Sequence, residues 1–362
     1  MKKSLLALAV LGTIAGVASA QTSITIYGTI DAGVRHLTNA NGGTATAPTV
    51  GNDSKWTMGS GGTYNQNRLG FKGVEDLGGG LNAHFNLELG WNSGTGVGDA
   101  AGLFQRTALV GLGGAWGSLD LGRQYSVNFK TIGLYDPFVY KYTGIVPLAT
   151  QGGSTALTRL SNNIQYSGKF GGVGVMAEYA LGEVAGSTSA GATQAIGANY
   201  SAAGFTVGTA YTQGKRANAV GGTDLTNDMK NWTVGGAYMT GPFRVAVGYA
   251  DNKLNNAFGA GTEARTKDWW VGGHMYVTPA AAISVGYYET KGVSSLNLLG
   301  GAANLLGGAN PNDAKRKLFI VGATYALSKR TNFYADIDNA RFTNVANQPT
   351  QTGFSVGINH LF

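Results

Sequence analysis

The residues with the most obvious chemical capacity do not assemble into a catalytic or metal-binding set. The four histidines, His36, His84, His274 and His360, are scattered and there is no cysteine, so no cluster with metal-ligand spacing can be read. Gly172-Val173-Gly174-Val175-Met176-Ala177 fits the loose dinucleotide pattern G-x-G-x-x-A. That motif needs a strand before it and a helix after it, and here it lies inside one alternating stretch. No G-x-S-x-G elbow occurs, and no histidine is tied by spacing to a nucleophile. Asp336 and Asp338 share one strand face, which a wet wall explains without acid–base chemistry. The sequence therefore predicts no cofactor, no metal and no enzymatic activity. What remains is a repeated placement of charge. Arg68, Lys72, Glu88, Glu178, Arg244 and Asp336 each occupy the polar side of an alternating stretch, where the available chemistry is electrostatic selection of whatever passes along that side.

The elements that position these charges are strands. In Leu81–Trp91 the residues Leu81, Ala83, Phe85, Leu87, Leu89 and Trp91 fall on one parity, and Asn82, His84, Asn86, Glu88 and Gly90 on the other; a period of two marks a strand with one apolar face. The same alternation continues to Phe354, Val356, Ile358, His360 and Phe362, and no stretch carries a convincing helical period. Tight connections such as 76–80, 113–117 and 240–242 alternate with long polar ones such as 37–62, 215–229, 254–264 and 292–314. About sixteen strands of roughly ten residues result, from 22–36 to 352–362, the length a tilted strand needs to cross a bilayer. The polar parity is Asn, Gln, Thr, Glu, Arg, Gly and Ala, which cannot form a dry core but can line water. The expected fold is all-β: a 16-stranded antiparallel transmembrane barrel, closed because lipid leaves no backbone group unpaired, and wide enough for an aqueous lumen. Tyr27, Trp91, Tyr179, Tyr200, Tyr211, Trp232, Tyr238, Tyr249, Trp269 and Tyr325 lie near strand ends, as an aromatic girdle would.

Composition agrees. Charged residues are only 12% of the 362, well under the usual share of about 25%, with 59 glycines and 7 prolines. Residues 1–20 read as a cleaved secretory signal: Lys2 and Lys3, an apolar Leu5–Val17, and Ala18-Ser19-Ala20. The barrel domain is then 21–362. Removing Lys2 and Lys3 from the 26 basic residues leaves 24 against 19 acids, a mild scattered excess that offers no nucleic-acid patch.

The segments "SITIYGTIDAGV" (23–34), "NRLGFKGVEDLGGGL" (67–81), "RTALVGLGGAWGSLDLGRQ" (106–124) and the terminal Phe362 resemble the Gram-negative general diffusion porins, above all the betaproteobacterial kind. The resemblance covers the whole chain. It implies a homotrimer of sixteen-stranded barrels and a third extracellular loop folded into each lumen. It also implies outer-membrane lipid and lipopolysaccharide as surroundings, the barrel-assembly machinery as a partner reading Phe362, and small hydrophilic solutes and ions as cargo. The loop corresponds to about 127–157, an irregular insert rich in Tyr and Phe. The resemblance sets Arg68, Arg106 and Arg159 as a basic cluster opposite Asp136, the only acid in 127–157, and so implies a preference for anions. The "PEF"-type element usual in the family is absent. Parity supports Arg68 and Arg159, whereas Arg106 shares parity with Ala108, Val110 and Leu112. Lys72, His84, Glu88 and Asp120 are expected along the lumen. Arg123 points away with Leu119 and Leu121, and the resemblance makes it a trimer-interface residue. Two alternatives stand beside passive diffusion: a substrate-selective channel, which a stacked aromatic track would favour, and an envelope-anchoring or adhesive barrel with a plugged lumen.

Overall fold

A computed structural model describes residues 23–41, 49–50, 53–59, 64–99, 102–142, 158–220, 223–255, 263–292, 315–344 and 350–362. The signal at 1–20 and part 143–157 of the insert lie outside the described residues. The strands begin with β1 (Ser23–Asn41), β2 (Thr49–Val50), β3 (Asp53–Gly59), β4 (Arg68–Gly78), β5 (Leu81–Leu89), β6 (Thr107–Gly114) and β7 (Gly117–Tyr125). One helix follows, α1 (Val127–Gly133). Beyond the insert come β8 (Arg159–Phe170), β9 (Val173–Ala180), β10 (Thr193–Ala202), β11 (Phe205–Val220), β12 (Thr223–Thr240) and β13 (Phe243–Asn255). The wall ends with β14 (Glu263–Tyr276), β15 (Ala281–Gly292), β16 (Lys315–Ala326), β17 (Thr331–Thr343) and β18 (Thr350–Leu361).

Every neighbouring pair is antiparallel, and β1 pairs with β18 from Thr29–Leu361 to Leu37–Gly353, which closes the sheet into a barrel. On its other edge β1 meets β2, β3 and β4 in succession. These three occupy one wall position, so the eighteen described segments make sixteen wall strands. The sequence had placed 37–62 wholly in a connection. Instead β1 runs on to Asn41 and β3 pairs with it from Gly33–Gly59 to Ala40–Asp53. The second wall strand is interrupted between β3 and β4, and Tyr64–Asn67 leave it there.

Burial follows the alternation. Along β10 Ile196 is 65% exposed and Ala195 5%; along β14 Trp269 is 40% exposed and Trp270 1%. The exposed parity is apolar around the barrel, with Ile24, Ile26, Val245, Val247 and Phe354 on it, and the buried parity holds Asp31, Asn163, Gln165, Thr212, Asp268 and Ser355. Tyr200, Tyr211, Trp232, Tyr238 and Tyr325 stand on the exposed side. Tyr27 does not: its hydroxyl reaches Asn86 (2.9 Å) and Glu88 (3.0 Å) on the polar side, because it shares parity with Thr29 and Asp31.

The insert is where sequence periodicity missed a helix. Seven residues are two turns, too few to show a helical period. Ser126 starts α1 by accepting the Phe129 amide at 3.1 Å, and Glu178 accepts the Val127 amide at 3.1 Å, placing a carboxylate at the positive end of the helix. The chain then rests on wall side chains of the polar parity. Ile132, Tyr135, Phe138 and Tyr142 form one apolar cluster with Trp270, Tyr288, Leu318, Ile320 and Phe342. Glycines make room for it. A side chain on Gly235 would begin 2.2 Å from the Tyr135 ring, on Gly286 2.6 Å from the Phe138 ring, and on Gly322 2.4 Å from the Tyr142 ring.

Candidate functional site

Two groups of side chains stand on the polar side of different parts of the wall, and the second of them packs against the insert. The first is basic. Arg106 precedes β6, so strand parity does not govern it, and its guanidinium is 3% exposed. Nε donates to Glu88 at 2.6 Å, Nη1 to Gln66 Oε1 at 2.7 Å and Nη2 to the Tyr125 hydroxyl at 2.9 Å; Asp99 lies 3.9 Å away. Arg159 donates to the same Tyr125 hydroxyl at 2.7 Å and sits 4.3 Å over that ring, a cation–π contact. Arg68 donates to Asn65 Oδ1 at 2.9 Å and to the Gln66 carbonyl at 3.4 Å. The interruption of the second wall strand supplies both Asn65 and Gln66, and Gln66 touches Arg68 through its backbone and Arg106 through its side chain. A register shift between Gly122 and Gln124 brings Tyr125 into line to receive two guanidinium groups.

The second group surrounds Asp136, and it corrects the expected pairing. Asp136 does not meet the three arginines. Its carboxylate accepts the amides of Phe138 (3.1 Å) and Tyr140 (2.9 Å) and the Tyr288 hydroxyl (3.1 Å). Arg244 grips the backbone there, donating to the carbonyls of Asp136 (2.8 Å), Pro137 (3.0 Å) and Leu134 (3.0 Å). Trp270 Nε1 donates to the Tyr135 carbonyl at 3.1 Å, and the Tyr135 and Thr233 hydroxyls are 2.8 Å apart. Burial pushes the Asp136 carboxyl up to about 6, against the opposing pull of those donors and of Arg244. The acid is a brace inside the insert. The anions beside Arg106 are instead Glu88 and Asp99, which spacing gave no means of choosing.

The insert contributes one cation to the basic side. Lys141 lies 5.2 Å over the Tyr64 ring, and burial and then the charge of Arg68 push its ammonium down to about 8. Lys130 donates to Gln165. Tyr125, Phe129 and Tyr140 stack in series, with centroids 4.8 and 4.1 Å apart, and the Tyr140 hydroxyl closes on the Phe129 carbonyl at 2.8 Å.

The other expected residues fall as follows. Lys72 lies 5.4 Å over the Tyr27 ring on the polar side. His84 contacts Asp120 at 2.7 Å through Nε2 and Asn82 at 3.1 Å through Nδ1. Arg123 donates within its own chain, to the Gln105 carbonyl (2.6 Å) and Ser161 Oγ (2.8 Å). The ring of Phe362 lies over Gly28, where a Cβ would come within 2.3 Å, and the two residues exchange backbone hydrogen bonds of 3.0 and 3.2 Å. One signal for the insert's landing site was present in the sequence. Alternation lapses into apolar runs at Trp269-Trp270, Tyr287-Tyr288 and Leu318–Val321, as it must where both faces of a strand are dry.

The family model for Gram-negative porins matches residues 7–345. The chain belongs to the Gram-negative porin family. This porin is 44% identical over 146 residues to an outer membrane porin protein of Bordetella pertussis, covering 38% of this chain and 37% of that one. It is 36% identical over 195 residues to outer membrane porin protein 32 of Delftia acidovorans, covering 51% and 50%. The porin thus spans half or less of the length of these two curated relatives. Among solved structures, the anion-selective porin from Comamonas acidovorans superposes with a TM-score of 0.77 at 25% identity, covering 94% of this porin and 100% of that chain. Its place is the outer membrane.

Proposed function

We propose that this porin is a passive diffusion channel for ions and small hydrophilic solutes, without enzymatic activity, and that it prefers anions. The observation that carries the reading is the distribution of charge around the insert. Arg68, Arg106 and Arg159 gather around Gln66 and Tyr125, while Asp136 is turned into a braced pocket. In this reading residues 127–157 are the third loop, folded inward as the constriction. Support comes from the described part, whose apolar residues pack on wall side chains of the buried parity. The unbalanced guanidinium charge raises the local concentration of anions and lowers their entry barrier. Lys72, His84, Glu88 and Asp120 line the approach. Residues 1–20 act as the export signal, Phe362 as the assembly signal, and the functional unit is a trimer in which Arg123 lies toward a neighbouring subunit.

Single-channel recording in planar bilayers tests the proposal. The expected result is an open channel with anion-preferring reversal potentials across a salt gradient, and a shift toward cations in Arg159→Gln. A silent protein, or a cation preference unchanged by that substitution, would overturn it. The stacked rings of Tyr125, Phe129 and Tyr140 favour a second reading, a substrate-selective channel. Saturable block of the current by one class of solute would support that reading.

A further inference from the structure

On the polar side of the wall that meets α1, an amide is set between two acids. Asp120 of β7, Gln165 of β8 and Glu178 of β9 lie directly opposite one another, and all three are buried, Gln165 completely. The Gln165 carboxamide is fixed at both ends. Nε2 donates to Glu178 Oε2 at 2.8 Å and to the Tyr125 carbonyl at 3.1 Å. Oε1 accepts Lys130 Nζ, which comes from the last turn of α1. Glu178 is fixed in turn, accepting Asn163 Nδ2 at 2.9 Å through Oε2 and the Val127 amide at 3.1 Å through Oε1.

This is not how a lysine is ordinarily held. A site built only to fix the cation would set a carboxylate on the ammonium, whereas here Lys130 meets the carbonyl end of an amide and the carboxylate sits on the amide nitrogen. The neighbouring bed is dry, with Val127, Ala195 and Ala210 buried together against Met176. Burial pushes the Lys130 ammonium down, against the charges of Asp120 and Glu178, and so enlarges the share of free amine, the nucleophilic form.

We infer that Lys130, Gln165 and Glu178 form a self-acting cross-linking site, in which the lysine and glutamine side chains join through an amide bond and tie the insert covalently to β8. The free amine of Lys130 attacks Gln165 Cδ, which lies one carbonyl bond, about 1.2 Å, beyond the oxygen that Nζ already contacts. The Nζ–Cδ bond forms. Glu178 takes the proton that Nζ sheds and passes it to Nε2, the atom its carboxylate already touches. The Cδ–Nε2 bond then breaks and ammonia leaves. Nothing is oxidised or reduced, and no co-reactant is needed. Folding alone supplies the approach of the two side chains, since α1 and β8 are brought together only in the closed barrel. The inference goes beyond the diffusion channel and does not depend on its selectivity.

The test is the mass of the full-length protein before and after refolding from urea into detergent. The unfolded chain should have the full mass of its sequence, and the refolded protein should be lighter by one ammonia. Trypsin applied after denaturing the refolded protein should then fail to cut at Lys130 and should release one branched peptide joining residues 124–141 to 160–169. Lys130→Arg should keep its full mass. Glu178→Gln should cross-link about a hundredfold more slowly, the share that a positioned acid–base group supplies. The parent decides the matter even where a variant fails to fold: full mass after refolding, with Lys130 open to trypsin, overturns the inference. Ammonia lost elsewhere, as by cyclisation of a leading glutamine, would leave the cut at Lys130 intact and would overturn it equally. The reading of the chain as a diffusion channel stands under either result.

Discussion

Asp136 makes the acidic side chain of the insert a pH-dependent brace. Its carboxyl is pushed up to about 6 from an ordinary 3.8, chiefly by burial. Between these values the folded chain holds a proton that the unfolded chain has released. Stability from this group is therefore greatest below about pH 4 and falls as pH rises to about 6, by at most about 3 kcal/mol. Asp136→Asn keeps an acceptor for the Phe138 and Tyr140 amides and should remove that slope; thermal unfolding of both proteins from pH 4 to 7.5 measures the difference. An identical slope in the variant would show that Asp136 stays ionised throughout. Arg106 and Glu88 are coupled in another way. Arg106→Gln strands Glu88, 5% exposed, at a cost of about 3–5 kcal/mol. Adding Glu88→Gln should recover most of the lost unfolding temperature without restoring the anion preference. The resemblance named all three arginines and set Asp136 opposite them; in the structure Asp136 bonds within the insert, and the acids beside Arg106 are Glu88 and Asp99. Which acid meets Arg106 depends on where the insert crosses the wall, and no local pattern encodes that path.

At the scale of elements, alternation was enough to read the strands because one face of each is apolar and the other polar. It misjudged the chain where neither condition holds. Helix α1 is too short to have a period, and β3 belongs to a wall strand that is broken and resumed. The glycines were legible as abundance and not as purpose. Gly235, Gly286 and Gly322 leave space for the rings of Tyr135, Phe138 and Tyr142, and the lapses in alternation at Trp270, Tyr288 and Leu318–Ile320 are the apolar side of the same bed. A branched side chain on this bed should lift the insert. Gly286→Val is expected to destabilise the protein by about 1–3 kcal/mol through overpacking and to change single-channel conductance. The same substitution at Gly241, where a Cβ would meet nothing within 4 Å but φ is +51°, should cost stability and leave conductance alone. If both variants conduct as the parent does, the insert does not set the aperture.

For the whole molecule, the decisive event is joining the ends of the wall. Phe362 and Gly28 exchange two backbone hydrogen bonds at this seam, so deleting Phe362 should cost about 1–3 kcal/mol, visible as a lower temperature for loss of the compact, fast-migrating form on unheated gels. The sequence disclosed the closed barrel and its sidedness from pattern alone, whereas the seam's register required the fold. The broken wall strand has a mechanical consequence. Its escaped residue Tyr64 accepts the Tyr142 amide at 2.9 Å and stacks on Tyr334 with centroids 4.8 Å apart, on the side of the barrel away from Glu178 and Gln165, which hold the helix. With Arg244 clamped at mid-span, the described insert is a beam supported at both ends and in the middle. Among the described residues 127–142 this beam is held at three points, so cutting the middle support in Arg244→Gln should add flicker to the single-channel current relative to the parent.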